Sequence, residues 1–128
     1  PAGGPPLKIL CAEDNPYGRV VINAILNELG HSTDFVGSGE AAVQAVARGG
    51  YDLVLMDVML GDTSGIEATR SIRALPSPLG QVPVIGISGR GAPGDEEQGR
   101  VAGMNGYLTK PVSPHQLARL IAEVMAKK

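Results

Sequence analysis

At 128 residues, 43% of them hydrophobic, the chain has the size of one domain and enough apolar residues for a core. A formal charge of −2 excludes the basic footprint of a nucleic-acid binder, and no apolar run is long enough to span a membrane. Cys11 is the single cysteine, so an internal disulfide is excluded and a cytoplasmic setting is expected, even if a parent chain is membrane-anchored.

Residues 1–6, "PAGGPP", cannot pack and read as a linker or processed terminus, with the folded domain expected over 7–128. "LKILCA" (7–12) is an apolar run suited to a strand buried on both faces. Asn15 is a good N-cap with Pro16 at the first helical position. Val21, Ile22, Ile25, Leu26 and Leu29 then form an inner stripe that closes at Gly30. "STDFVG" (32–37) is a weaker strand, followed by a helix from Ser38 to Arg48 that stops at Gly49-Gly50. "YDLVLMD" (51–57) is a second buried strand, ending in Asp57. Ser64 and Glu67 have capping-box spacing and open a third helix. "VPVIGIS" (82–88) is a β-branched strand. The stretch 93–103 makes a poor helix, rich in glycine and acid, and is expected to be mobile. "NGYLTK" (105–110) is the last strand. Ser113 and Gln116 cap a final helix whose Leu117, Leu120, Ile121, Val124 and Met125 keep the helical period. His31 and His115 are expected on the surface.

Strands alternating with helices predict a parallel sheet covered on both faces. Right-handed crossovers then gather every strand's C-terminal end on one edge. Glu13-Asp14, Asp57, Ser88-Gly89 and Lys110-Pro111 all stand at such ends. Taken singly, each has a structural explanation as a turn or helix-start residue. Four coincidences on one edge are harder to dismiss. Carboxylates a few ångströms apart repel by roughly 4 kcal/mol per pair at an effective dielectric near 20. Either some are protonated or a cation compensates them. An all-oxygen donor set with room for water suits Mg²⁺, with Mn²⁺ as the alternative ion. Lys110 adds a second positive charge. In such a field one aspartate can attack phosphorus and become an acyl phosphate.

The stretches "ILCAEDNP", "YDLVLMDVML", "PVIGIS" and "GMNGYLTKP" resemble, in order and spacing, the response-regulator receiver domain of the CheY-like superfamily. The resemblance runs from Leu7 to Met125, and "EDNP" and "YLTKP" look most like receivers of hybrid sensor histidine kinases. It implies a flavodoxin-like (βα)5 three-layer sandwich with sheet order 2-1-3-4-5. It implies Asp57 as phosphoacceptor and metal ligand, Asp14 as a direct Mg²⁺ ligand, Glu13 helping through water, and the Met59 carbonyl completing the set. Lys110 would pair with the phosphoryl group, aimed by a cis bond to Pro111. Ser88 would be the switch hydroxyl and Tyr107 the switch aromatic. Phosphoryl transfer from a histidine kinase or histidine phosphotransfer domain would then bias the surface of the fourth helix, fifth strand and fifth helix.

Such a domain promotes its own phosphorylation and dephosphorylation without being a free-standing enzyme. Asn15, Pro16, Arg19, Val20, Asn23 and Pro111 would be the exposed docking residues. A monomer or weak dimer is expected, without nucleic-acid or membrane contact. The sequence departs from the family pattern at Gly18, Gly61, Ser64, Gly89 and Arg90. Arg90 is expected to overhang the pocket and alter the phosphate lifetime, and no departure is expected to touch the chemistry directly. A receiver that docks without phosphorylation stays open. A haloacid-dehalogenase-type phosphatase would need D-x-D after the first strand, and a flavin carrier would need a neutral phosphate loop where "AEDNP" presents acids.

Overall fold

Alternating side chains on a strand face opposite ways, so a strand that is apolar at every position needs cover on both sides. The computed structural model, which describes residues 5–89 and 94–127, supplies that cover. The start of the expected linker and Arg90 lie outside the described residues. In chain order come β1 (Lys8–Ala12), α1 (Pro16–Glu28), β2 (Ser32–Val36), α2 (Gly39–Arg48), β3 (Leu53–Asp57) and α3 (Gly65–Arg73). A short 3-10 helix (Leu79–Gln81) precedes β4 (Val84–Ser88), α4 (Asp95–Ala102), β5 (Gly106–Thr109) and α5 (Pro114–Ala126). The strands are parallel in the order β2-β1-β3-β4-β5, the flavodoxin-like arrangement that the resemblance implied.

Leu10, Ala12, Val54, Met56 and Val84 face one side, against Ala45 and Val46 of α2, Ile66 and Ile72 of α3, and Ala102 of α4. Ile9, Cys11, Leu53, Leu55, Ile85 and Ile87 face the other, against Ile22 and Leu26 of α1 and Leu117 and Ile121 of α5. Each fully buried Leu or Ile contributes roughly 1.5–3 kcal/mol. The Cys11 thiol is free and buried, and burial pushes its pKa up, so it stays protonated and inert.

Register carries the core's order to the site. Ala12 pairs with Met56, so Glu13 stands level with Asp57. Asp57 pairs with Ile87, and Ser88 with Thr109, so Ser88 and Lys110 each follow one step beyond.

The caps form where short polar residues precede helices. Side chains of Asn15, Ser38, Ser64 and Ser113 accept the amides of Tyr17, Ala41, Glu67 and Gln116. The capping box at α3 is half made, because the Glu67 carboxylate turns to Arg70. The helix at 93–103 is only eight residues long, Asp95–Ala102, with no side-chain cap and a left-handed glycine at each end.

Three expectations need correction. Val21 is 50% exposed, so the inner stripe of α1 is Ile22, Ile25 and Leu26, with the half-buried Leu29 packed against the same core. His31 is buried, whereas His115 is exposed as expected. His31 Nδ1 accepts the Leu7 amide at 3.0 Å, satisfying a backbone donor just before β1. Arg19, expected at the exposed docking face, is half-buried. Its Nε donates to the Glu13 carbonyl, and its guanidinium lies 5.7 Å from the centre of the Phe35 ring.

Candidate functional site

Because β3 is central and buried, the carboxylate that ends it is only 3% exposed. Two donors hold it there. Asp57 Oδ1 accepts the Met59 amide at 2.9 Å, and Oδ2 accepts Lys110 Nζ at 2.7 Å. Lys110 Nζ also lies 3.1 Å from Glu13 Oε1, so one ammonium bridges two carboxylates. Glu13 Oε2 accepts the Asn15 amide at 3.1 Å. Asp14 is exposed, leaving the cluster open on one side.

Glu13, Asp14 and Asp57 each offer a carboxylate oxygen, and the three oxygens lie within 4.8 Å of one another. Burial raises the Glu13 pKa, Asp57 adds to the rise, and the Asn15 amide and Lys110 oppose it. Burial pulls the Lys110 pKa down, but the Asp57 and Glu13 carboxylates outweigh it and hold it above the usual lysine value. Three carboxylates against one ammonium leave two formal negative charges, a deficit that a single divalent cation cancels. Hard oxygen donors with an open side fit Mg²⁺.

The acids of the 57–65 loop divide between two tasks. Asp62 turns away from the cluster and accepts the Gly39 and Glu40 amides at 2.9 and 3.0 Å, capping α2 from across the loop. Those bonds lower its pKa. Gly65 packs so closely on the end of β3 that an added Cβ would lie 2.2 Å from the Asp57 carbonyl oxygen.

Residues 9–122 match the family described as the response regulator receiver domain. The chain belongs to that family. This receiver is 35% identical over 125 residues to the sensor protein GacS of Pseudomonas syringae pv. syringae, covering 92% of the chain and 14% of GacS. It is 32% identical over 115 residues to the histidine-protein kinase BarA of Escherichia coli K12, covering 90% and 12%. The chain therefore spans a small part of the curated relatives it matches. The receiver domain of the sensor histidine kinase PA1611 from Pseudomonas aeruginosa PAO1 superposes with a TM-score of 0.85 at 38% identity, covering 95% and 99% of the two chains. That crystal structure is described with magnesium coordinated in its active-site cleft. Family membership sets aside the phosphatase and flavin-carrier readings.

In this receiver Ser88 is buried, and the Lys110 amide donates to its carbonyl at 2.7 Å. Tyr107 is half-buried, with its hydroxyl buried and lacking a well-formed hydrogen bond among the described residues. Burial raises its pKa, and the nearby Ser88 hydroxyl opposes the rise. The Lys110–Pro111 bond is cis, and so is Ser77–Pro78. The Met59 side chain is exposed, while its backbone turns back to Ser64 in an isolated bridge.

Asn15, Pro16, Val20, Asn23 and Pro111 are exposed. Beside them runs a groove of about 450 Å³ whose walls include Tyr17, Val21 and Val112. Tyr17 and Val112 were not singled out from the sequence, and Val21 was assigned to the buried stripe instead. The signal was present in α1, where Tyr17, Val20 and Val21 add apolar surface beyond what one buried stripe needs. A Cβ at Gly89 would meet open space, and one at Gly61 would make only an ordinary contact with Asp14 at 3.9 Å. Gly18 faces the Glu13 side chain, and an added Cβ there would lie 2.6 Å from Oε1.

Proposed function

We propose that Asp57 accepts a phosphoryl group from a phosphohistidine on a kinase or phosphotransfer domain. An Asp57 carboxylate oxygen attacks phosphorus, an acyl-phosphate P–O bond forms, and the P–N bond to the donor imidazole breaks with its electron pair returning to the ring. The observation that carries this reading is the setting of Asp57. It is buried, with one oxygen on Lys110 and the other on the Met59 amide, beside oxygens of Glu13 and Asp14.

Asp14 and Asp57 would hold Mg²⁺, with Glu13 helping through water and the Met59 carbonyl as a further ligand. When bound, the ion supplies positive charge that lets a carboxylate approach an anionic phosphoryl group. Lys110 already touches the oxygen that would carry the new group, so its ammonium follows the charge onto the phosphoryl oxygens. Ser88 would then hydrogen-bond those oxygens, and Tyr107 would occupy the space beside it. That pair biases the surface built from α4, β5 and α5. The short, uncapped α4 suits an element with a small gap between states.

The histidine-bearing partner would dock on the groove beside Lys110, where Tyr17, Val20 and Val21 expose apolar surface next to Pro111. No helix among the described residues is long and apolar enough to cross a membrane, and the proposed setting is cytoplasmic.

Intact-mass measurement after incubation with acetyl phosphate, with and without Mg²⁺, tests the reading. One phosphoryl group should appear, require the metal and be absent in Asp57→Asn. Failure of both acetyl phosphate and a phosphohistidine donor to add mass would leave a receiver that only docks.

A further inference from the structure

Gly18 stands in the first turn of α1, where alanine would serve the helix better. A Cβ at this position would lie 2.6 Å from Glu13 Oε1, 2.9 Å from Cδ and 3.1 Å from Cγ. A free surface side chain would swing away from such a contact. Glu13 is not free, being 1% exposed and held at both carboxylate oxygens. Oε2 takes the Asn15 amide and Oε1 lies on Lys110 Nζ, each at 3.1 Å. A methyl group at 18 would therefore have to displace a pinned, buried carboxylate.

We propose that Gly18 is a positioning residue for the metal site. By leaving out a Cβ, it lets the Glu13 side chain seat against the first turn of α1. That seat holds Glu13 Oε1 on Lys110 and keeps a carboxylate oxygen within reach of the Asp14 and Asp57 oxygens. Gly18 itself offers no side-chain donor to an ion or a phosphoryl group, so its effect passes through Glu13 alone. The inference rests on the Mg²⁺ reading above and extends it to a residue outside the acidic cluster.

The test compares wild type, Gly18→Ala, Glu13→Ala and the double variant, with Gly18→Ser as a second carrier of the same Cβ. In the metal-free protein, amide NMR should show the Asn15 resonance displaced in Gly18→Ala, because its acceptor has moved. Calorimetric titration should show Mg²⁺ affinity reduced roughly ten-fold, the usual size for a group that orients a metal ligand. With Glu13→Ala already present, which removes every Glu13 atom that a Cβ at 18 would meet, adding Gly18→Ala should change affinity by less than about two-fold. An unmoved Asn15 amide together with unchanged affinity overturns the proposal, as does an equal loss in the Glu13→Ala background. If wild type itself takes up no Mg²⁺, the metal-site reading fails. The Asn15 amide then decides by itself whether Gly18 seats Glu13.

Discussion

Lys110 is the residue whose removal should separate chemistry from folding. Its ammonium touches both Glu13 and Asp57, and Lys110→Ala leaves those two buried carboxylates facing each other. Loss of one preorganised cation should slow phosphorylation from acetyl phosphate roughly 100-fold, read as the rate of mass gain at fixed Mg²⁺. His31 offers a test of a different kind. Its Nδ1 must be unprotonated to accept the Leu7 amide, and burial lowers its pKa below 6.5. A histidine with a depressed folded pKa gives stability that is complete above the unfolded pKa. That stability is lost as pH falls through the folded value. The urea midpoint of wild type should therefore drop as pH falls below 6.5, and His31→Gln should lack that part of the drop. Glu13, whose raised pKa acts in the opposite direction, is common to both proteins and cancels in the difference. Neither role could be read locally. A lysine before proline and a histidine after glycine look ordinary until residues 53 and 24 positions away arrive beside them.

Among the elements, α3 ties the end of α4 to the sheet. Arg73, at its end, donates to the Gly103 carbonyl after α4, to the Gly80 and Val82 carbonyls before β4, and to Asn105 Oδ1 before β5. Arg73→Ala should cost about 3 kcal/mol in urea unfolding, because several part-buried carbonyls lose a charged donor together. Arg73→Lys should recover little of that, since an ammonium cannot reproduce the planar fork. The other end of α3 is equally constrained. Gly65→Ala would drive a Cβ into the Asp57 carbonyl, so it should destabilise by more than about 2 kcal/mol and impair phosphorylation at the same time. Helix starts were legible because an N-cap is a local device in which a side chain bonds an amide two or three residues on. The Arg73 clamp was not, because it joins segments that meet only after the strands have paired.

For the whole molecule, the acidic cluster costs stability without a counter-ion, and binding to the native state should return it. At Mg²⁺ one hundred times its Kd, the gain should be roughly 2.7 kcal/mol, seen as a chelator-reversible rise in Tm. The alternation of apolar runs and helical stripes was enough to specify a parallel sheet with α-helical cover. The acids and lysine at the strand ends were enough to place an acidic cluster and its ammonium on one sheet edge. Both are properties of spacing along the chain, set by the period of strand and helix. Tertiary structure alone decided that Val21 faces out, that Arg19 and His31 turn inward, and that Asp62 caps α2. It also decided that Gly18 lies under Glu13. Those outcomes depend on which neighbour fills each side chain's space, and packing sets that between residues that are not adjacent in sequence.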